Sequence, residues 1–156
     1  MGELTELTAD LVSQIKRVFS GNGRLTTAIP GYYPRQSQLD LAQDIAQCIV
    51  EHGQLAAEAG TGTGKTYAYL VPTLLSGRKA IISTATKTLQ DQLFNKDLPQ
   101  LIKALGLSIN AINLKGRANY ICLYRTHLHA SEGVFDTKQQ THDMAFIRSN
   151  LKRLKT

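Results

Sequence analysis

AEAGTGTGKTYAYL, residues 57–70, places Gly60, Gly62 and Gly64 alternately with Thr61 and Thr63, then Lys65 and Thr66, then an apolar helix-like run. The pattern that cradles phosphates is G-x-x-x-x-G-K-[ST] between a strand and a helix. Residues 59–66 read A-G-T-G-T-G-K-T, departing from it by one methyl group at Ala59. The glycines adopt backbone angles that other residues avoid and leave no side chain between amide N–H groups and an anion. Those N–H groups and the start of the following helix hold phosphate oxygens. Lys65 adds a mobile positive charge for the outer phosphates, and the Thr66 hydroxyl is placed to ligate Mg²⁺. The expected ligand is therefore a polyphosphate with Mg²⁺, held by Ala59, Gly60, Thr61, Gly62, Thr63, Gly64, Lys65 and Thr66, with Lys65 and Thr66 carrying the chemistry. Kinases of small molecules, GTP switches and motors all use such a loop, so it does not by itself name the nucleotide.

Working outward, QLAAEA before the loop is short and apolar, a buried strand in expectation. Residues 65–75 predict a helix that Pro72 should bend or shorten. RKAIIST reads as a second strand. TKTLQDQLFNKDLPQLIKAL (86–105) has Leu89, Leu93, Leu101 and Leu105 at helical spacing, with Pro99 expected to break it in two. LSINAINL after Gly106 suits a third strand. Strands alternating with helices predict an α/β fold, a parallel sheet with helices on its faces. Upstream, Leu4, Leu7, Leu11, Ile15 and Val18 recur every three or four residues, the period of an amphipathic helix. GNGRL ends it, PGYYP is extended or turning, and a further helix from Ser37 presents Leu41, Ala42, Ile45, Ala46, Ile49 and Val50 on one face until Gly53. Beyond Lys115 periodicity fades, and only MAFIRSNLKRLKT predicts a short basic helix. The chain stops at Thr156 without a capping or turn signal, which reads as a cut.

The 156 residues suit about one domain with its own core. No apolar run approaches the ~18 residues of a membrane span, and the acidic start MGELTELTADLVSQ is no secretory signal. Two cysteines, Cys48 and Cys122, give no disulfide framework and point to a reducing cytoplasm. Net charge is +6 and uneven: residues 1–114 carry ten Lys/Arg against nine Asp/Glu, or +1, and residues 115–156 carry eight against three, or +5. The second part faces something anionic or is a solvated basic tail.

Hydrolysis needs a second acidic site, an apolar strand ending in Asp, usually with Glu beside it. VFDT at 134–137 puts only two apolar residues before Asp136, and neither AIIST nor INAINLKG ends in an acid. By itself the chain is expected to have negligible ATPase activity.

Four stretches, in order, resemble the start of the DinG/XPD-type DNA helicases of superfamily two, the bacterial YoaA branch above all. YYPRQSQLDLAQDI is similar to their nucleotide-recognition motif, with Arg35 and Gln38 at its R-x-x-Q positions, which recognise adenine. EAGTGTGKT resembles their motif I, where alanine is usual at the position of Ala59. ISTATKTLQDQL resembles motif Ia, which touches single-stranded DNA. LKGRANYIC resembles the segment whose cysteine is the first ligand of a [4Fe–4S] cluster. The likeness covers about residues 25–125, and the conjunction of motif I with LKGRANYIC carries its specificity.

The resemblance implies a P-loop NTPase fold, the first RecA-like helicase domain. It divides the chain into an N-terminal helix (1–24), the first part of the ATP-binding domain (25–114) and the truncated start of an iron–sulfur domain (115–156). In the complete protein it implies ATP-driven 5′ to 3′ unwinding of single-stranded or forked DNA, in a bacterial cytoplasm and at the nucleoid. The DNA-binding residues it implies are Ser83, Thr84, Thr86, Lys87, Gln90 and Arg117.

Read without the family, each position keeps a second meaning. Gln38 offers a paired donor and acceptor that match an adenine edge, or is an ordinary solvated glutamine. Hydroxyls and Lys87 at a helix start make a phosphate-binding edge, or simply cap the helix. Cys122 alone is a free thiol, and a [4Fe–4S] cluster needs four thiolates, so the chain by itself should hold no stable cluster. His127, His129 and His142 are solvated or, less simply, metal ligands. A small P-loop kinase would need an acidic magnesium ligand and a lid, which are not visible. A non-catalytic nucleotide- or DNA-binding module would need neither.

Overall fold

The structure is a computed structural model that describes residues 2–132 and 135–151. It divides into two compact units, Met1–Asn113 and Leu114–Thr156.

In the first unit, α1 (Gly2–Val18) buries Leu11, Ile15 and Val18, so the predicted stripe is real from Leu11 onward, while Leu7 stays exposed. A short helix the sequence did not announce, α2 (Arg24–Ala28), follows the glycine break and buries Leu25. Gly23 at its start has the Arg17 and Val18 carbonyls where a Cβ would stand, so only glycine lets the chain turn so closely there. The next helix, α3 (Gln36–Glu51), buries Ala42, Ala46 and Val50 as its period predicts, and Gln38 with them. It ends at Glu51, two residues before Gly53. His52 takes the left-handed conformation (φ 54°), and the Gly53 N–H donates to the Cys48 carbonyl at 3.0 Å.

Helix α4 (Lys65–Leu75) packs chiefly on α3 and also touches α1, with Ala68, Leu70, Val71 and Pro72 buried. Pro72 does not shorten it: the helix continues three residues beyond, and the ring lies inside the core. The 86–105 run does divide, but ahead of Pro99. Helix α5 (Lys87–Gln92) passes into a π-helical turn, Leu93–Asp97, and then into α6 (Leu98–Leu105) without a loop between them. The Leu98 N–H donates to the Leu93 carbonyl, one residue further back than in an α-helix. The wider turn comes just before a proline that has no N–H to give to its own i−4 carbonyl. One extra residue in the turn also rotates the apolar stripe. Leu89 is left exposed, whereas Leu98, Leu101 and Leu105 enter the core.

The expected sheet is where the structure differs most from the sequence reading. Among the described residues there is no strand: residues 53–60, 78–84 and 107–116 carry no regular pairing. A strand is stabilised by neighbours on both edges and, in a parallel sheet, by cover on both faces. Here the helices pack on one another and leave these segments outside, with Ile81 96% and Ile112 85% exposed.

The second unit has a 3₁₀ turn at Arg117–Asn119, then α7 (Leu123–Glu132) and α8 (Lys138–Asn150). The latter begins earlier than MAFIRSN predicts, because Thr137 and Gln140 form a reciprocal capping box. Residues 152–156 of the predicted basic helix lie outside the described residues, as does Val134 of VFDT.

Candidate nucleotide-binding site

The glycine loop ends where α4 begins. Gly64, at φ 80° and ψ 28°, is the residue before the first helical turn. Its left-handed backbone favours glycine, and a Cβ built there would collide with the Gln38 side-chain amide. Gly62 is also left-handed, at φ 78°. The first-turn N–H groups of any helix lack partners inside it. At α4 the Tyr67 and Ala68 N–H groups donate to the Gly64 carbonyl, which leaves those of Lys65 and Thr66 at the positive end of the helix dipole.

Four side chains brace this loop. The Lys65 ammonium donates to the carbonyls of Ala59 (2.6 Å) and Gly60 (2.7 Å). The Thr63 hydroxyl donates to the Gly60 carbonyl at 2.9 Å, and the Arg35 guanidinium donates to the Gly62 carbonyl. Gln38 is no solvated glutamine. It is 3% exposed, and its Nε2 donates to the Gly64 carbonyl at 2.8 Å while its Oε1 accepts from the Tyr32 hydroxyl at 2.6 Å. The nucleotide-recognition stretch and the phosphate loop are thus hydrogen-bonded to each other. Thr61 sits at the exposed turn of the loop.

Beside the loop lies a cavity of about 260 Å³ lined by Gly31, Tyr32, Tyr33, Arg35, Gln38, Gly64, Thr66, Tyr67, Gln92 and Asp97. Tyr32 and Tyr67 stack across it with ring centroids 6.1 Å apart and planes at 30°. The Tyr67 hydroxyl reaches Gln100 Oε1 at 3.2 Å. Burial pushes the Tyr32 hydroxyl up to about 12, against a smaller opposing pull from Arg35. Burial also raises Tyr67, with the nearby Asp97 adding to it. Asp97, 8% exposed, accepts from Gln92 Nε2 at 3.2 Å.

Sequence reasoning missed Tyr32, Tyr67, Gln92 and Asp97 as lining residues. The two tyrosines carried a signal, since Tyr32 lies three residues before Arg35 and Tyr67 directly follows Thr66. Asp97 carried none: on a regular helix it reads as a solvated acid, and the π-helical turn is what accompanies its burial.

Other sequence-predicted residues lie elsewhere. Ser83 and Thr84 are in the irregular segment before α5, with the Thr84 hydroxyl donating to the Thr86 carbonyl at 3.3 Å. Thr86 caps α5, its hydroxyl accepting from the Leu89 N–H at 3.2 Å, so its capping role is present in the structure. Lys87 is exposed on the first turn, and Gln90 is half-buried on the next. In the second unit, Arg117 opens the 3₁₀ turn and Cys122 is an exposed free thiol just before α7. Cys48 is a half-buried thiol on α3. Four thiolates are needed for a [4Fe–4S] cluster and the chain has two cysteines, one in each unit, so its own residues do not complete one. His127 and His129 lie on α7, and His142 on α8 stands 3.9 Å from Asp143. No group of three or more His, Cys, Asp or Glu able to hold a metal occurs among the described residues. Asp136 is exposed in the bend before α8. No helix among the described residues is long and apolar enough to cross a membrane.

Comparison with known proteins gives a consistent picture. The chain is 47% identical over 139 residues to the ATP-dependent DNA helicase YoaA of Haemophilus influenzae, covering 89% of this chain and 22% of that protein. It is 47% identical to the Escherichia coli helicase of the same name, over 84% of this chain and 21% of the other. With the ATP-dependent DNA helicase DinG of Photobacterium profundum the identity is 32%, over 94% of this chain and 23% of the relative. The chain therefore spans less than a quarter of the length of these relatives. No solved structure matches it at a significant level. The DEAD/DEAH box helicase family matches residues 40–156, three-quarters of the sequence, and implies a P-loop domain of the RecA kind. A glycine loop braced by Lys65, Arg35 and Gln38, together with that match, places the chain in the DEAD/DEAH box helicase family.

Proposed function

We propose that the chain forms the nucleotide-binding opening of an ATP-dependent DNA helicase of the 5′ to 3′, iron–sulfur kind. The observation that carries this is the direct bond from Gln38 to the Gly64 carbonyl, which ties the base-recognition stretch to the phosphate loop. Arg35 and Gln38 read adenine. Ala59, Gly60, Thr61, Gly62, Thr63, Gly64 and Lys65 hold the phosphates, and Thr66 offers its hydroxyl to Mg²⁺. Lys65 reaches the outer phosphates by exchanging two neutral carbonyl acceptors for anionic ones. Negative charge at the start of α4 is favoured by the helix dipole as well.

In this reading residues 54–59, 78–84 and 107–114 become strands of a parallel sheet in the complete RecA-like domain, where their exposed isoleucines gain cover. Ser83, Thr84, Thr86, Lys87 and Gln90 then line a DNA-facing edge, with Thr86 both capping α5 and presenting that edge to phosphate. Arg117 and the basic excess of residues 115–156 add sequence-independent affinity for single-stranded or forked DNA. Cys122 supplies one of four thiolates to a cluster whose other ligands this chain does not contain. The protein works on DNA in the bacterial cytoplasm, at the nucleoid.

The test is unwinding of a forked duplex by the complete protein with Mg²⁺ and ATP, beside a Lys65→Ala variant. Wild type is expected to unwind from a 5′ single-stranded arm, and the variant to bind the same fork without unwinding it. Unwinding by the variant at the wild-type rate, or none by correctly folded wild type, would refute the proposal.

A further inference from the structure

Asp97 is a carboxylate 8% exposed in the wall of a cavity whose other polar groups are mostly neutral. One oxygen, Oδ2, accepts from Gln92 at 3.2 Å. No donor among the described residues reaches Oδ1, and that atom is not among those sealed from solvent without a partner, while the residue lines the cavity. An ionised carboxylate only accepts hydrogen bonds. A buried acceptor is a costly feature unless a donor meets it, by about 1–3 kcal/mol. Around it, Tyr32 and Tyr67 give aromatic faces, Gln38 gives an amide, and Gly64 and Thr66 mark the edge of the phosphate loop. At about 260 Å³ the space lies just below the ~300–1,000 Å³ of sites for drug-sized ligands, the scale of one heterocycle.

We propose that Asp97 is a specificity-determining residue that accepts a hydrogen bond from the exocyclic amino group of the nucleobase in this cavity. The inference rests on the reading of the adjoining loop as a nucleotide site, and adds to Arg35 and Gln38 a third residue, the one that selects the amino group of the base. A 6-aminopurine gives Oδ1 the donor it lacks. A 6-oxopurine brings a second acceptor against it, and a site built around a hydrogen bond rejects the partner that cannot make it.

The experiment titrates the complete protein, with Mg²⁺, against ATP and against inosine triphosphate, which has oxygen in place of the amino group. Wild type is expected to favour ATP by about ten-fold or more. Asp97→Asn, which can donate as well as accept, should bring the two affinities within about three-fold, and Asp97→Ala should do the same. Thermal melting of each variant checks that it is folded; if neither folds, Asp97→Glu, which keeps the carboxylate but displaces it, takes their place and should narrow the ratio likewise. An unchanged ratio in a folded variant, or equal wild-type affinities, overturns the inference while leaving the nucleotide site standing. Loss of both nucleotides to the same degree, accompanied by loss of Mg²⁺ dependence, assigns Asp97 to the metal instead and also overturns it. No binding of either nucleotide by folded wild type removes the loop reading itself, and the inference with it.

Discussion

Gln38 Nε2 donates to the Gly64 carbonyl at 2.8 Å, joining the first turn of α3 to the residue that opens α4, 26 positions later. The same carbonyl also accepts from the N–H groups of Tyr67 and Ala68 at 3.1 and 3.2 Å. The other side of the Gln38 amide is held by Tyr32. The loop geometry therefore depends on a side chain far from it in sequence.

Gln38→Ala removes one member of this set and leaves the Tyr32 hydroxyl without its acceptor. A loss of about 1–3 kcal/mol in stability is expected, read as a lower midpoint in urea with unchanged slope. ATP affinity should fall about ten-fold or more, since each 1.4 kcal/mol is ten-fold. Unchanged affinity in the folded variant would mean that the bond does not position the loop.

At Gly64 two demands coincide. The backbone is left-handed, and the space a Cβ would take is filled by the Gln38 amide. Gly64→Ala should cost about 1–3 kcal/mol from backbone strain alone, with the displaced Gln38 adding to it. Gly60→Ala is the comparison, because a Cβ there meets nothing closer than an ordinary contact with Thr63. Melting temperatures should fall clearly for the first variant and little for the second.

Alkaline pH reports on Tyr32. Its folded pKa, about 12, lies above the unfolded value of 10.0, chiefly because burial disfavours the phenolate. Between those values the native state holds the proton that the unfolded chain has lost, so stability declines as pH rises. The contribution is fully present below pH 10 and is lost on passing through about 12. Tyr32→Phe should be less stable than wild type at pH 8, and the difference should shrink between pH 10 and 12. A constant difference across that range would contradict the assignment.

The sequence made the phosphate loop legible because its requirements are local: glycines for backbone angles, then Lys65 and Thr66 at the helix start. Helices α1 and α3 were legible from the spacing of Leu11, Ile15 and Val18 and of Ala42, Ala46 and Val50, and α4 from the apolar run that follows the loop. Helix α2 was not, because five residues around one buried leucine show no period. Nor was the turn ahead of Pro99, because a π-helical turn shifts the stripe by one residue and leaves no composition signature. The apolar runs QLAAEA, RKAIIST and LSINAINL carry strand composition, yet strand pairing is non-local and depends on neighbours that these runs do not find among the described residues. Likewise, Asp97 and Gln92 reach the cavity through that turn rather than through any motif.

The central claim is that the loop from Ala59 to Thr66 grips the polyphosphate of ATP, and calorimetric titration of the complete, folded protein with ATP and Mg²⁺ tests it most directly. The account predicts saturable one-site uptake, with a dissociation constant in the ~1 μM–1 mM range common for enzyme substrates, weakened at least about ten-fold by Lys65→Ala. No heat of binding from folded wild-type protein, or equal affinity in the variant, would contradict it.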